Sequence, residues 1–229
     1  MVSINEFCDR LMAGFVDHFQ ARGAMRSLTQ SMGSCKAIIK RCIDAEPDYV
    51  LEMGTNYGLS TLSLAYAMTV LGLPVSCITT TDIDHSLWTG KTPDIQRALL
   101  ETAGIDHAAI RTLTRDFQLV DPSEMVSVGK ALVFYDIHDT ATVSHMRRFI
   151  DLWMPEFDHG TILVHDCYPP GTAYWIDRNN PELPVSSGRL LSGLELEGYG
   201  ECGPLVGWLN KTGRPARVLP GTSILEFAV

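Results

Sequence analysis

The sequence predicts an α/β protein with a mostly parallel central sheet, helices on both faces and an antiparallel hairpin at the C-terminal end. Five near-continuous apolar runs alternate with stretches of helical periodicity between residues 49 and 164. Strands of a parallel sheet have this apolar character because helices cover both of their faces. Two apolar runs near the C-terminus, separated by a turn, predict the hairpin.

A helix and a strand are predicted first. Apolar side chains recur at helical spacing from Ile38 to Ile43, and Pro47 marks the end of that helix. Strand one is then Tyr49–Met53, an apolar run that ends beside a glycine-containing loop. We expect further helical structure towards the N-terminus, over residues 1–46.

The run from Leu59 to Ile78 contains no charged residue. It is interrupted by Gly72 and Pro74, so a buried helix followed by a buried strand explains it better than a membrane span, which needs about 20 apolar residues. The helix is predicted over about Ser60–Leu71, where Gly72 provides the stop. Strand two is predicted over Val75–Thr81.

The next elements follow from helix-start signals and apolar runs. A helix is predicted from Thr92 to Ala103, with proline in its first turn and Gly104 after its last residue. Another begins at Asp121, where Glu124 stands at the capping-box spacing. The remaining predicted elements are strand three Ile110–Thr114, strand four Ala131–Tyr135, a helix over about Thr140–Trp153 and strand five Thr161–Val164.

The chain after strand five has a different character. Prolines and weak periodicity between residues 167 and 204 predict a lid or substrate region rather than a passive connection. Leu205–Leu209 and Ser223–Ala228 are predicted as the antiparallel strands of the hairpin, with a turn at residues 211–215. We expect a single domain over residues 1–229.

Composition narrows the class of partner. The chain has 27 acidic against 18 basic residues and a formal net charge of -9, which argues against nucleic acid because phosphate binding needs a basic face. The six cysteines include no C-x-x-C pair, and the N-terminus lacks a signal-like segment. We therefore expect a reduced, cytoplasmic protein that acts on a small molecule away from membranes.

The loop after strand one carries the most informative motif. An acid, Glu52, is followed by Gly54 and Gly58, whereas a dinucleotide site needs G-x-G-x-x-G. The loop has no lysine or arginine to meet phosphate, which favours S-adenosylmethionine (SAM) over NAD. Glycines that only permit tight packing are the alternative explanation. The predicted cofactor contacts of this motif are Glu52, Gly54, Asn56, Gly58 and Ser60.

Ligands of open parallel sheets bind beyond the carboxyl ends of the strands. Asp82, after strand two, is spaced from Gly58 so that it could accept both hydroxyls of a ribose, and Asp84 is the alternative acid. Three residues after strand three are expected to border the adenine: Asp116, Phe117 and Gln118.

Two acids end strands four and five and predict a cation site. Asp136 and Asp166 would lie on neighbouring strands, and Mg²⁺ typically takes one or two carboxylates together with waters. Asp136 is also expected to contact the cofactor. The candidate bases at this edge are His138, Asp139 and His165, because imidazole titrates near neutral pH.

Several motifs occur in the order seen in a known family. They are Gly33-Ser34-Cys35-Lys36, residues Leu51 to Ser60, Ala103-Gly104-Ile105, Phe134-Tyr135-Asp136 and Val164-His165-Asp166. In this the chain resembles the class I SAM-dependent O-methyltransferases, most closely their metal-dependent catechol and small-molecule branch. The resemblance covers roughly Gly33 to Asp166.

The resemblance implies a Rossmann-like methyltransferase fold that holds SAM across strands one to three. It places Glu52, Gly54 and Ser60 at the methionine end of SAM. It also places Asp82 at the ribose, Gln118 at the adenine, and Asp136 and Asp166 on a metal. The chain departs from the branch at Cys167, where the branch has asparagine, and at Asp139, where it has a lysine base.

The predicted activity is methyl transfer from SAM to a hydroxyl of a small molecule, catechol-like or sugar-bearing, with Mg²⁺ assisting. A homodimer is expected from the family and from the proline-rich tail. The alternatives are a SAM-binding lyase or cyclase of the same fold, an NAD-dependent oxidoreductase, and a non-catalytic SAM-binding module.

Overall fold

The structure, a computed structural model, describes residues 2–21, 25–55, 58–83, 105–137, 142–165, 203–219 and 222–229. Its α-helices are α1 (Ile4–Ala21), α2 (Met25–Ala45), α3 (Leu59–Val70), α4 (Thr142–Arg148) and α5 (Gly203–Thr212). Its strands are β1 (Tyr49–Met53), β2 (Ile78–Asp82), β3 (Arg111–Thr114), β4 (Ala131–Tyr135), β5 (Gly160–Val164), β6 (Ala216–Val218) and β7 (Leu225–Ala228).

The seven strands form one sheet in the order β3-β2-β1-β4-β5-β7-β6. The pairings among β1 to β5 are parallel, whereas β7 runs antiparallel to both β5 and β6. This mixed sheet confirms the predicted fold class. The strand order reverses between β1 and β4, where open α/β sheets bind their ligands.

Helices pack on both faces of the sheet because the central strands are apolar on both sides. In β1, Val50 faces a core shared with α1, α2 and α3, while Leu51 faces a second core with Phe149 and Trp153. All five residues of β1 are buried. Alternation places Glu52 on the Val50 side, under α3.

One predicted strand is wrong. Leu205–Leu209 was expected to be a strand, but these residues belong to α5. Leu205, Val206 and Leu209 are all buried, and their spacing covers one side of a helix. The hairpin itself is present, but its first strand is β6, which begins directly after the turn predicted at residues 211–215.

Other boundaries differ by short local turns. Residues Val75–Cys77 form a 3₁₀ turn before β2, and Pro122–Glu124 form a single 3₁₀ turn instead of a longer helix. The capping box of Asp121 and Glu124 is present as predicted. The helix before β5 continues from α4 into a π-helical turn, Phe149–Trp153.

Two predicted elements, the helix Thr92–Ala103 and the region 167–204, lie almost wholly outside the described residues. The run from Leu59 to Ile78 forms α3 and the start of β2, as predicted. In the described part of the chain, no helix is long and apolar enough to cross a membrane.

Candidate functional site

The carboxyl ends of five strands are joined into one continuous edge. Four backbone hydrogen bonds link each strand exit to its neighbour: Arg115 N to Asp82 O (2.8 Å), Gly54 N to Thr81 O (2.9 Å), Asp136 N to Met53 O (2.8 Å) and His165 N to Tyr135 O (2.9 Å). The predicted site residues at the exits of β1, β2, β4 and β5 are therefore held side by side.

Gly54 is required by this edge. Its φ is +96°, and a Cβ atom there would lie 2.1 Å from the carbonyl oxygen of Asp136. The missing side chain thus allows β1 to leave the sheet directly against the end of β4. Gly58, with φ +79°, begins α3 in the left-handed conformation. These observations support the packing explanation for Gly54; a role in cofactor binding stays a prediction for both glycines.

The loop after β1 is fastened to the end of β2. The backbone N–H of Thr55 donates to Oδ2 of Asp82 at 2.8 Å, and the hydroxyls of Thr55 and Thr80 contact each other. Asp82 is half-buried at the sheet edge. Its carboxylate is consequently held in a fixed position beside the first turn of the loop. Asn56 lies outside the described residues.

Glu52 is a carboxyl group in the interior. Its exposure is 0%, Thr61 donates to its Oε2 at 2.5 Å, and its Oε1 has no hydrogen-bond partner among the described residues. Burial raises the pKa of Glu52 to about 7, hydroxyls of neighbouring residues including Ser60 lower it, and the charge of Asp136 raises it further. An added cation or donor at this position would favour the ionised form.

Asp136 and His165 form a hydrogen-bonded pair at the ends of β4 and β5. The distance from His165 Nδ1 to Asp136 Oδ1 is 3.0 Å, and their side chains are 20% and 21% exposed. A carboxylate oxygen can only accept, so Nδ1 carries a proton, and in the neutral ring the lone pair is then on Nε2. This is the arrangement in which a carboxylate orients an imidazole base.

The segment after β3 has a buried and an exposed side. Asp116 caps a 3₁₀ turn, Phe117–Leu119, by accepting from the backbone N–H of Gln118 at 2.8 Å. Phe117 is 4% exposed and stacks on Trp153 with 5.1 Å between ring centroids. Gln118 is half-buried, and its amide nitrogen contacts Nε2 of His145.

Two exposed apolar residues at this edge were not singled out from the sequence. Ile83, directly after Asp82, is 69% exposed, and Leu119, directly after Gln118, is 72% exposed. Each directly follows a polar residue in the segment after a strand. This position in the sequence could have marked them as candidates for the site. Together they offer apolar surface beside the polar groups expected to meet a nucleoside.

The metal and base predictions are only partly covered by the described residues. Asp166, His138 and Asp139 lie outside them. Within the described ranges, no group of three or more histidine, cysteine, aspartate or glutamate residues could hold a metal ion. Asp136 and His165 are the described members of the predicted metal and base sets, and their roles stay predictions.

Comparisons with known proteins identify the fold. No protein-family model and no curated protein matches the sequence. Among solved structures, the chain is similar to the S-adenosylhomocysteine-bound methyltransferase PaMTH1 of Podospora anserina, with a TM-score of 0.54, 15% identity and coverage of 94% of this chain and 86% of that one.

A second similar structure is that of a Staphylococcus aureus protein provisionally named caffeoyl-CoA O-methyltransferase. The TM-score is 0.50 and the identity 12%, over 95% of this chain and 97% of that one. A Corynebacterium glutamicum protein aligns with a TM-score of 0.54 and 13% identity, over 96% and 88% of the two chains. The chain therefore has the Rossmann-like fold of class I SAM-dependent methyltransferases.

Proposed function

We propose that this protein is an enzyme that transfers the methyl group of SAM to a hydroxyl of a small molecule. The observation that carries the proposal is the single edge at which Glu52, Asp82 and the Asp136–His165 pair meet. The similarity to methyltransferase structures supports the same assignment at the level of fold.

In this proposal the cofactor spans β1 to β3. The methionine end lies near Glu52, whose buried Oε1 and nearby Asp136 offer negative charge to an ammonium group. Asp82 meets the ribose, held in place by the backbone N–H of Thr55. Gln118, with the apolar surfaces of Ile83 and Leu119, borders the adenine.

His165 is the proposed base. The acceptor hydroxyl gives its proton to Nε2 of His165, and its oxygen forms a bond to the methyl carbon as the carbon–sulfur bond breaks. The electron pair of that bond stays on sulfur, which leaves S-adenosylhomocysteine. Asp136 stabilises the resulting imidazolium through Nδ1, as a carboxylate does in other base-orienting pairs. In-line approach then depends chiefly on positioning.

The proposal also includes a divalent cation. Asp136 and Asp166 would hold Mg²⁺, which would lower the pKa of the acceptor hydroxyl when bound. Carboxylate oxygens at neighbouring strand ends suit this ion, and Asp136 is partly exposed at the edge. The proton acceptor His165 is needed with or without the ion.

The acceptor class, compartment and assembly also belong to the proposal. A catechol-like or sugar-bearing hydroxyl compound is the expected acceptor, and its choice is assigned to the predicted substrate region 167–204. Free thiols at the described cysteines Cys8, Cys35, Cys42 and Cys77 are compatible with a reducing cytoplasm. A single domain that forms a homodimer is the expected assembly.

The test combines calorimetry with a product assay. We expect the wild-type protein to bind SAM and to release S-adenosylhomocysteine when it is mixed with a pool of catechols and sugar-bearing phenols. His165→Gln should lower kcat by about 10²- to 10⁴-fold while SAM still binds. The matched control is His159→Gln, because His159 is exposed before the opposite end of β5.

The outcomes separate the parts of the proposal. No SAM binding at millimolar protein would end it. Binding without product from any acceptor would favour the non-catalytic module. An unchanged kcat in His165→Gln would remove His165 as the base and leave methyl transfer standing.

A further inference from the structure

Gln118 and His145 are in contact beneath the predicted adenine position. His145 lies on α4, is 2% exposed and belongs to the interior rather than to the ligand surface. Gln118 is half-buried at the edge, where it follows β3. The contact joins Nε2 of the glutamine amide to Nε2 of the imidazole.

Both partners of this contact are held in place by their surroundings. The backbone N–H of Gln118 donates to Asp116, which fixes the 3₁₀ turn that carries it. The His145 ring lies edge-on to Phe117, with 6.3 Å between centroids and 89° between planes. Phe117 in turn stacks on Trp153. A packed aromatic cluster therefore fixes the imidazole, and the imidazole can fix the amide.

The chemistry of the two nitrogens sets the direction of the hydrogen bond. An amide nitrogen can only donate, so the imidazole Nε2 must accept. With its nitrogen directed at His145, the amide of Gln118 turns its carbonyl oxygen the other way. A carbonyl oxygen accepts from the 6-amino group of adenine, whereas the 6-oxo group of hypoxanthine offers only another acceptor at that position.

We propose that His145 is a positioning residue that orients the Gln118 amide, so that the site selects a 6-amino purine nucleoside over its 6-oxo counterpart. This inference rests on the proposed function, because it assigns the recognition of the SAM base. His145 itself does not touch the ligand. It acts by preventing the amide from rotating to present its amino group.

The test compares two ligands that differ at one purine position. Calorimetry gives the Kd of S-adenosylhomocysteine and of S-inosylhomocysteine for each protein. The wild type should prefer the adenosyl compound by about fivefold or more, since a mismatched buried polar group costs on the order of one to three kcal/mol, equivalent to roughly 5- to 150-fold. His145→Leu should bring the preference close to one.

Two further variants identify the cause of the change. His145→Gln can place a carbonyl oxygen where the imidazole accepts, and it should restore much of the preference. Gln118→Ala should abolish the preference, and adding His145→Leu to it should change nothing more, because the two residues act as one unit. Met146→Leu, a volume-conserving change at the neighbouring buried position, should leave the preference intact.

Each outcome decides the question. Equal preference in the wild type and in His145→Leu would overturn the inference, as would a wild-type preference for the inosyl compound. If His145→Leu does not fold, the wild-type preference and Gln118→Ala still decide, because a preference that survives Gln118→Ala removes the amide as the selector. If neither ligand binds the wild type, the proposed function fails first, which is a distinct result.

Discussion

Thr61 donates its hydroxyl to Oε2 of Glu52 inside the interface between α3 and β1. The carboxyl group that accepts this hydrogen bond is fully buried. A buried carboxyl with one oxygen left without a partner is costly for folding alone. A bound cation or hydrogen-bond donor from the cofactor would offset this cost by pairing with the free oxygen. Glu52 is therefore central to the proposed cofactor site.

We predict that Glu52 makes stability depend on pH. Burial raises the pKa of Glu52 from 4.5 to about 7. Its contribution to the free energy of unfolding is therefore fully present below pH 4.5 and is lost as the pH rises through about 7. Glu52→Gln should flatten the fall in the free energy of unfolding over that window. Above it, the variant should be more stable than the wild type by up to roughly 3 kcal/mol.

Urea unfolding at about pH 5 and about pH 8 measures this effect. Glu6→Gln is the control, because Glu6 is an exposed acid on α1 and its replacement should leave the pH dependence as in the wild type. A stability difference between wild type and Glu52→Gln that is the same at both pH values would contradict the prediction. SAM binding should weaken in Glu52→Gln even where the variant is more stable.

The second prediction concerns Gly54. Gly54→Ala combines a left-handed φ of +96° with a Cβ placed 2.1 Å from the Asp136 carbonyl oxygen, so the end of β1 must move. We expect a loss of on the order of 3 kcal/mol or more in the free energy of unfolding. Gly72→Ala is the matched control: its φ is +72°, but nothing lies within 4 Å of the added Cβ. It should cost only about 1 kcal/mol.

Thermal and urea unfolding of the two variants give the comparison. Equal losses would mean that backbone conformation alone, and not the approach to β4, explains the glycine at position 54. If Gly54→Ala weakens SAM binding but leaves stability unchanged, the glycine at position 54 is needed for cofactor binding and not for packing against β4.

The central sheet was predictable because its signal is local. Strands β1 and β4 match their predicted ranges, since each is a run of mainly apolar residues between polar turns, with Glu52 the single acid in β1. The strand predicted at Leu205–Leu209 was wrong because the sequence of so short an apolar run shows no reliable period; only the burial of Leu205, Val206 and Leu209 identifies a helix face. The packing of α5 against the second core decides between strand and helix, and that packing is not local.

The sequence indicated which residues follow the carboxyl ends of the strands, but not which side chains contact each other there. The rule that ligands bind at strand carboxyl ends led to Glu52, Asp82 and Asp136. The contact of Gln118 with His145 joins residues 27 positions apart through a side chain on a helix. Neither spacing nor composition reveals such a pairing, so the sequence alone did not point to His145.

The third prediction concerns the reactivity of the cysteines. Burial raises the pKa of Cys8 to about 11 and those of Cys35 and Cys42 to about 12. Thiolates are the reactive form, so these three should resist alkylation in the native protein. Cys77 is only partly buried and should react faster. Peptide mapping after iodoacetamide treatment at about pH 8 measures the order, and early labelling of Cys35 would contradict it.

The last prediction separates the cation from the base. Asp136 uses Oδ1 to hold His165, so a variant that removes its charge should impair both proposed roles. We expect Asp136→Asn to lower kcat by about 10²-fold or more. EDTA should lower the turnover of the wild type, added Mg²⁺ should restore it, and neither should change that of the variant. Asp158→Asn, an exposed acid before the opposite end of β5, is the control and should respond to EDTA as the wild type does. Turnover that is indifferent to EDTA, together with a strong loss in Asp136→Asn, would leave the carboxylate with one task, the orientation of His165, and would remove the cation from the proposal.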